Sequence, residues 1–298
     1  MSEIKKTAVV SVVGRPNVGK STLTNKLVGF KVAIVSNKPQ TTRTRITGVC
    51  TKGDCQYVFL DTPGLHKPRS RLGDFMVKVV NDTVAEVDVA VLVVDPVANV
   101  GHAEQQLIEQ IKNNRIPSIL VINKIDTLPH EEILAIIAAY SEKHDFDAII
   151  PVSAKTGKGT DILMNELYKF ALDGPALFPE DMVSDQPERV LAAEMIREKM
   201  LRMLDREVPH GVAVGIERWN EREDGLIEIN ATIYCEKASH KGIIIGKNGE
   251  MLKKIGKTAR IELEKNLDCR IYLELWVKVK EDWRNNTYQM RNFGYEDQ

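Results

Sequence analysis

Short apolar runs rich in β-branched residues alternate with helix-period segments over residues 1–172. The run at 9–13 is typical, and after it Leu23 and Leu27 lie four residues apart, as on one face of a helix. Such alternation indicates a mostly parallel sheet with helices on both faces. We predict strands at 8–13, 45–51, 56–61, 87–94, 118–123 and 148–152, and helices at 19–28, 73–84, 103–113, 131–143 and 161–171. The second strand is predicted to be an antiparallel edge.

The alternation stops at residues 173–187, which hold three prolines and one glycine and are interpreted as a linker. After the linker, apolar residues recur every three or four positions from Glu188 to Arg206, which predicts a helix with a core face. Two strands follow, then a glycine-containing loop, a helix and a last strand. The predicted organisation is a first domain at 1–172, a linker at 173–187, a second domain at 188–284 and a tail at 285–298. The later strands are predicted at 211–220, 226–236 and 270–280.

Composition fits two ordinary globular domains. The chain has 298 residues, of which 43% are hydrophobic and 28% charged, enough for two cores. The four cysteines form no C-x-x-C pair, which argues against zinc and disulfides and suits a reducing cytoplasm. The first residues lack the apolar stretch of a signal peptide, and no apolar run approaches about 18 residues. We therefore expect a cytoplasmic protein without a membrane span.

Charge is segregated although the formal net charge is only −1. Residues 173–236 hold 7 basic and 15 acidic residues, whereas residues 237–260 hold 7 basic and 1 acidic, a net charge of +6. A local basic window is the electrostatic footprint of a nucleic-acid partner. Its alternative is a solvated lysine-rich helix face, and charge alone does not separate the two.

Residues 14–21 read GRPNVGKS, a G-x-x-x-x-G-K-[ST] phosphate-binding loop. It lies between a predicted strand and a predicted helix, the context that separates a P-loop from a chance match. Its glycines let backbone N–H groups point at phosphate oxygens. Lys20 is expected to reach the β/γ-phosphates, and Ser21 to ligate Mg²⁺. The predicted nucleotide-binding residues of this segment are Gly14, Asn17, Val18, Gly19, Lys20, Ser21 and Thr22.

The base-reading residues follow two later strands. Residues 123–126 read NKID, and residues 153–155 read SAK. The Asp126 carboxylate can accept hydrogen bonds from two guanine donors that adenine lacks, so adenine would leave it unpaired. We predict GTP/GDP as the ligand, with Asn123 tying the loop to the P-loop and the Ala154 N–H meeting guanine O6. The base site is predicted to comprise Asn123, Lys124, Asp126, Ser153, Ala154 and Lys155.

Two further segments lie where a GTPase needs them. Residues 61–64 read DTPG after a strand, so Asp61 can hold Mg²⁺ and the Gly64 N–H can contact the γ-phosphate, although a plain tight turn fits equally well. Residues 40–43 read QTTR. Thr42 is the predicted second hydroxyl on Mg²⁺, with Thr41 as the alternative. The predicted catalytic residues are Lys20, Thr42, Asp61 and Gly64.

GRPNVGKS, QTTR, DTPGL and NKID occur here in the order of the TRAFAC-class GTPases, and the chain more narrowly resembles the Era family. Ras-like enzymes place a water-orienting glutamine directly after D-x-x-G, but here that position is Leu65. We therefore expect Leu65 to point away from the phosphates. Asn17 matches a P-loop asparagine that holds K⁺ in related GTPases, so the resemblance implies K⁺ beside Mg²⁺. A loop-capping role is the equal alternative for Asn17.

Residues 242–249 read GIIIGKNG, a G-x-x-G loop behind an apolar approach. With its element order it resembles a type II K-homology (KH) domain, in which such a loop clamps about four nucleotides of single-stranded RNA. Ile244 and Ile245 are expected to line a groove for bases, and the lysines to meet phosphates. Trp276 is expected in the core, and Trp283 against the C-terminal tail. The predicted RNA-binding residues are Lys241, Ile244, Ile245, Gly246, Lys247, Asn248, Gly249, Lys253, Lys254 and Lys257.

The resemblance implies an α/β P-loop G domain followed by an α+β type II KH domain. It also implies a GTPase that binds 16S rRNA near its 3′ end and acts in assembly of the 30S subunit. A monomer with peripheral association at the cytoplasmic membrane face is expected, although no basic amphipathic helix argues for the latter. The alternatives are a GTP/GDP-sensing RNA-binding module with negligible hydrolysis, and a related GTPase of tRNA modification or large-subunit assembly.

Overall fold

The computed structural model describes residues 4–85 and 87–295, and the chain divides into two compact units. The first unit comprises the chain up to Ala33 together with Thr42–Lys67 and Met76–Asp185. The second unit comprises the chain from Gln186 onward, together with Ile34–Thr41 and Pro68–Phe75. Two short segments from the amino-terminal half of the sequence thus belong to the carboxy-terminal unit.

The elements up to Asp173 alternate as the hydrophobic pattern predicts, with bounds within about two residues for most. Strand order in the sheet is β2-β3-β1-β4-β5-β6, with β2 antiparallel to β3 and the other neighbours parallel. The predicted antiparallel edge is therefore confirmed. The strands are β1 (Lys6–Val13), β2 (Ile46–Lys52), β3 (Cys55–Asp61), β4 (Val89–Val94), β5 (Ser118–Ile122), β6 (Ala148–Pro151) and β7 (Leu172–Asp173), and the helices are α1 (Lys20–Val28), α2 (Arg71–Ala85), α3 (His102–Asn114), α4 (His130–Ser141) and α5 (Thr160–Tyr168).

The middle of this sheet is apolar on both faces. Every residue of β4 and β5 is buried, as expected where helices cover both sides of a parallel sheet. Separate apolar clusters fill the two faces, one containing Leu23 and Phe59 and the other Leu107 and Tyr140. The carboxyl ends of β1, β3, β4, β5 and β6 meet at one edge of the sheet, where ligands bind in such folds.

Residues 173–184, predicted as part of a linker, are fastened to the first unit. β7 pairs antiparallel with the start of β1. The buried Gln56 side chain donates to the Phe178 carbonyl at 2.9 Å and accepts from the Leu177 and Phe178 N–H groups. Further on, the Val49 N–H donates to the Val183 carbonyl at 2.8 Å. This strap covers backbone of the edge strand β2 that would otherwise be open to pairing.

The second unit is a three-stranded sheet with helices on one face. Strand order is β10-β9-β8, with β8 and β9 antiparallel and β9 and β10 parallel. The helix–strand–strand–helix–helix–strand order confirms the predicted α+β fold. The elements are α6 (Glu188–Met203), β8 (Val212–Glu221), β9 (Leu226–Cys235), α7 (Ala238–Ile245), α8 (Glu250–Leu267), β10 (Arg270–Val279) and α9 (Thr287–Asn292).

The two carboxy-terminal tryptophans differ in burial. Trp283 is fully buried, donates its indole N–H to the Gly211 carbonyl at 2.9 Å, and contacts the rings of Phe293 and Tyr295. Its predicted packing against the tail is confirmed. Trp276 is 57% exposed, so its predicted place in the core is wrong. Alternate residues of β10 face opposite sides of the sheet, and Leu275 and Val277 take the side that packs on α8.

No helix within residues 4–85 and 87–295 combines the length and hydropathy needed to cross a bilayer.

Candidate nucleotide-binding and RNA-binding sites

The P-loop at residues 14–21 connects β1 to α1 and needs its glycines. Gly14 and Gly19 have φ angles of 151° and 98°, which other residues rarely adopt. A Cβ at Gly14 would meet the Val93 carbonyl, and one at Gly19 would meet the Asn123 side-chain amide. The loop is therefore pressed against β4 on one side and the NKID segment on the other. Val18 is buried beneath it, whereas Asn17 is exposed.

Lys20 folds back over the P-loop. Its ammonium donates to the carbonyls of Gly14 at 3.1 Å and Arg15 at 2.9 Å, and the residue is buried. Burial lowers the pKa of Lys20 to about 8, against the opposing influence of the Asp61 and Asp95 charges. A cation held beside these two P-loop carbonyls is placed to meet phosphate oxygens.

Ser21, Thr42 and Asp61 bring three oxygens together. The Ser21 hydroxyl lies 2.6 Å from Asp61 Oδ2 and 2.9 Å from Thr42 Oγ1. Asp61 is fully buried, burial raises its pKa to about 6, and its Oδ1 atom has no hydrogen-bond partner within residues 4–85 and 87–295. Thr41, the alternative, donates instead to the Lys38 carbonyl at 2.6 Å. Two hydroxyls and a buried carboxylate suit the oxygen preference of Mg²⁺.

The segment after β3 approaches the P-loop closely. A Cβ at Gly64 would lie 2.5 Å from the Pro16 nitrogen, so only glycine permits this approach. The Leu65 N–H donates to the Gly14 carbonyl at 3.2 Å, and its side chain packs into the apolar cluster with Val80. The expectation that Leu65 points away from the phosphate loop is confirmed.

Asn123 ties three loops together at the base site. Its amide donates to the Val18 carbonyl at 2.8 Å and accepts from the Ala154 N–H at 3.0 Å. The Ala154 N–H therefore donates to Asn123 in this structure, whereas the sequence predicted that it would donate to guanine O6. The Ser153 hydroxyl donates to Asp126 Oδ1 at 2.6 Å, a hydrogen bond that lowers the pKa of the exposed Asp126. Ionised Asp126 is the form that accepts two donors from a guanine edge. Lys155 is exposed beside them, and Thr22 is half-buried at the start of α1.

Sequence reasoning missed three charged residues beneath this site. Lys124 Nζ donates to the Asn17 carbonyl at 2.6 Å and pairs with Asp95 Oδ1 at 2.7 Å. Asp95 Oδ2 lies 3.8 Å from Arg15 Nη2, and Arg15 Nε pairs with the buried Glu104. Asp95 follows a strand, as Asp61 does, and that position was the signal in the sequence. No feature of the sequence marked Glu104, because a glutamate in the first turn of a helix is common.

Part of the loop between α1 and β2 belongs to the second unit and is held there by α6. The Val35 N–H donates to the fully buried Glu198 at 2.8 Å. The Arg197 guanidinium donates to the Gln40 and Thr41 carbonyls and is also buried. Helix α6 therefore carries buried charged residues, whereas the sequence predicted only its apolar face.

The G-x-x-G loop of the second unit has the expected backbone. Gly246 and Gly249 have φ angles of 74° and 79°, and Asn248 has one of 52°. Lys247 and Asn248 are exposed between the two glycines. Three further predicted lysines are exposed and one is half-buried: Lys253, Lys254 and Lys257, and Lys241. The tip thus offers backbone and positive charge to solvent, as a phosphate-clamping turn requires.

The predicted apolar groove needs a correction. Ile244 lies on the core face of α7 and is fully buried, and Ile245 is half-buried. A side chain without exposed surface cannot contact a base, so the assignment of Ile244 is wrong. Ile243 is instead 51% exposed. The three consecutive isoleucines hid the helix phase, because a run of one residue type has no periodicity.

Two family models match the chain. The model described as 50S ribosome-binding GTPase matches residues 9–124, and the model described as KH domain matches residues 207–284. Among curated proteins, the chain is 54% identical over 290 residues to GTPase Era of Ruminiclostridium cellulolyticum, covering 97% of both chains. It is 51% identical over 294 residues to GTPase Era of Clostridioides difficile, covering 98% of this chain and 99% of the relative.

Two solved structures are similar over nearly the whole chain. One is a crystal structure of Era in complex with MgGDPNP and nucleotides 1506–1542 of 16S ribosomal RNA, at 41% identity and a TM-score of 0.95. The other is a variant of Aquifex aeolicus Era bound to GDP·AlF₄⁻, at 41% identity and a TM-score of 0.94. Each match covers 98% of this chain and 100% of the other.

Proposed function

Because the chain belongs to the Era family of GTPases, we propose that it hydrolyses GTP while binding 16S rRNA near its 3′ end, in assembly of the 30S subunit. The observation that carries the catalytic part is the meeting of Ser21, Thr42 and Asp61 beside Lys20. The RNA part rests on the exposed G-x-x-G tip and on the related Era structure that contains nucleotides 1506–1542.

In the proposed site, Ser21, Thr42 and Asp61 hold Mg²⁺, whose chemistry is to neutralise charge on the β- and γ-phosphates. Lys20 contacts the same phosphates, and the Gly64 N–H donates to the γ-phosphate. Loss of the γ-phosphate changes the contacts around Thr42. The carbonyl of the neighbouring Thr41 accepts a hydrogen bond from Arg197. Loss of phosphate contacts that order such a loop is the usual switch in GTPases.

Asp126 reads guanine in this proposal, with Lys124 along the face of the base and Asn123 fixing the loops around it. Phosphate binding by Gly14, Val18, Gly19 and Thr22 is shared by many nucleotides, so discrimination falls to Asp126. Lys155 and Ser153 complete the pocket, and Ser153 acts by orienting the Asp126 carboxylate.

The experiment that tests hydrolysis compares wild type with Lys20→Ala in phosphate release under saturating Mg²⁺ and GTP. We expect turnover in wild type and a loss of at least about 100-fold in the variant, since one preorganised charge contact is worth that much in a transition state. GTP binding without turnover in wild type would favour the alternative, an RNA-binding module that only senses GTP/GDP.

K⁺ is proposed as a second cation beside the phosphates, held by Asn17. Its support is that Asn17 is exposed within the P-loop, and its φ angle of 66° lies in the left-handed region that asparagine tolerates. A cation there supplies the positive charge that an arginine finger supplies elsewhere.

For location, we propose a cytoplasmic monomer that associates peripherally with the cytoplasmic face of the membrane. The support for the membrane part is the family resemblance alone. Flotation with vesicles containing anionic lipid tests it: co-flotation that salt abolishes supports peripheral binding, and protein that stays at the bottom at low salt removes it.

A further inference from the structure

We propose that Asp95 and Glu104 are positioning residues of the nucleotide site, which lock the P-loop and the base-reading loop together through Arg15 and Lys124. This inference rests on the proposed guanine-nucleotide site. Neither carboxylate is expected to touch the ligand, and no motif marks either of them. Both act through a cation that belongs to a loop of the site.

The first link joins the base-reading loop to the P-loop. Lys124 Nζ lies 2.6 Å from the Asn17 carbonyl and 2.7 Å from Asp95 Oδ1. The carbonyl alone would hold a flexible lysine weakly, since a lysine gives up side-chain entropy when it is fixed. Asp95, at the carboxyl end of β4, supplies the opposite charge that makes this hydrogen-bonded arrangement stronger.

The second link anchors the P-loop from below. Arg15 Nε pairs with Glu104, whose side chain is 1% exposed, and Arg15 Nη2 lies 3.8 Å from Asp95. A buried carboxylate is tolerated only with a partner, so Glu104 commits the Arg15 side chain to one position. Gly101 leaves room for it, because a Cβ there would lie 2.8 Å from Glu104 Oε2.

The two links form one chain of charges from α3 to the P-loop tip: Glu104, Arg15, Asp95, Lys124 and the Asn17 carbonyl. Arg15 and Asn17 belong to the loop that holds phosphate, and Lys124 to the loop that holds the base. A ligand that contacts both loops dissociates only after at least one of the two loops has moved. Holding the loops together therefore slows dissociation more than it speeds association.

The test measures dissociation of fluorescent GDP from the full chain by displacement with excess GDP. Asp95→Asn keeps the shape and removes the charge, and we expect the dissociation rate to rise about tenfold through loss of the ion pairs that Asp95 makes with Lys124 and Arg15. Asp95→Glu, which keeps the charge, should raise the dissociation rate less than Asp95→Asn does. Glu104→Gln should change the rate in the same direction.

A double-mutant cycle separates positioning from a general structural effect. If Asp95 acts mainly through Lys124, Asp95→Asn adds little to the dissociation rate in a Lys124→Met background. The matched control is Asp88→Asn, at the other end of β4, where the carboxylate accepts the Val9 N–H at 2.7 Å. That change should leave the dissociation rate as it is, even if it lowers the melting temperature.

An unchanged rate in folded Asp95→Asn would overturn the proposal. So would a full tenfold effect that persists in Lys124→Met, or an equal effect of Asp88→Asn. Should Asp95→Asn not fold, Glu104→Gln carries the same comparison, and a wild-type rate in Glu104→Gln would overturn the proposal. Wild type that does not bind GDP at all would instead remove the proposed guanine site itself.

Discussion

Asp126 makes the sharpest single-residue prediction about the ligand. Asp126→Asn replaces an acceptor by an amide, so we expect GTP affinity to fall by at least about 100-fold and preference to move toward xanthosine triphosphate. The amide can donate to the 2-oxo group of xanthine, whereas the wild-type carboxylate cannot. Competition of both nucleotides against a fluorescent analogue measures the ratio. Equal ratios in wild type and variant would show that Asp126 does not read the base.

Asn17 carries the prediction about K⁺. Hydrolysis by wild type should be faster in KCl than in NaCl at equal ionic strength, and Asn17→Ala should reduce that difference. Screening is the same in both salts, so only a specific cation site distinguishes them. Identical rates in the two salts would remove the K⁺ proposal and leave the P-loop assignment untouched.

Leu65 tests the idea that no side chain after the DTPG segment orients the attacking water. Leu65→Ala should lower the free energy of unfolding by about 2–5 kcal/mol, because the side chain is 6% exposed and packs in the core. Below the melting transition it should nonetheless retain far more hydrolysis than Lys20→Ala. A loss of turnover equal to that of Lys20→Ala would contradict a purely packing role.

Individual side chains were predictable from the sequence when a motif fixed their backbone. The P-loop and NKID residues are of this kind, because the strand before and the helix after each loop leave little freedom. The choice of Thr42 over Thr41 required the fold, since neighbours in an irregular loop have no fixed phase. Asp95 and Glu104 were not predicted, because the residues with which they pair, Lys124 and Arg15, lie far away in the sequence.

At the scale of elements, β10 shows a prediction that overlooked a clear alternating pattern. Positions 271, 273, 275, 277 and 279 are all apolar, whereas the opposite face holds Arg270, Glu274 and Lys278 together with Trp276. The period of two therefore placed Trp276 on the polar face, and the prediction of a core position relied on its residue type instead. The short pieces β7 and α9 were missed for a different reason. Segments of two and six residues are too short to show a period.

The two tryptophans give the element-scale stability prediction. Trp283→Ala should reduce the free energy of unfolding by about 3–5 kcal/mol, because it removes a fully buried ring and leaves the Gly211 carbonyl without that donor. Trp276→Ala should change it by about 0.5 kcal/mol or less, as is usual for exposed positions. Urea unfolding of both variants measures the difference. A large loss in Trp276→Ala would mean that the outer face of β10 is covered.

At the scale of the whole molecule, the fold class and the order of elements followed from the alternation of apolar runs, and the structure confirms both. The strap at 173–184 did not follow from it. Proline and glycine predict only that regular structure ends, whereas the strap is fixed by hydrogen bonds to Gln56 and Val49, residues more than a hundred positions earlier. The same holds for Ile34–Thr41, whose place in the second unit depends on buried charges in α6.

The central claim is that a guanine-nucleotide site and an RNA-binding tip belong to one chain, and RNA binding tests it most directly. The measurement is anisotropy of a labelled single-stranded RNA from the 16S rRNA 3′ end, over a salt series, with GTP affinity measured in parallel. Gly249→Asp is the more informative variant, because a Cβ there meets nothing within 4 Å and aspartate is among the residues that adopt a left-handed φ such as the 79° found here. At Gly246 a Cβ would lie 2.7 Å from Met251 Cβ and would disturb the fold.

We expect Gly249→Asp to weaken RNA binding by at least about tenfold by adding negative charge where phosphate must approach. Lys247→Ala should weaken it uniformly across sequences and reduce the salt slope by about one. Lys265→Ala is the control and should behave as wild type, because Lys265 is an exposed lysine about 22 Å along α8 from the loop. GTP affinity should stay unchanged in all three. Wild-type RNA affinity in both Gly249→Asp and Lys247→Ala, with the fold intact by circular dichroism, would contradict the account.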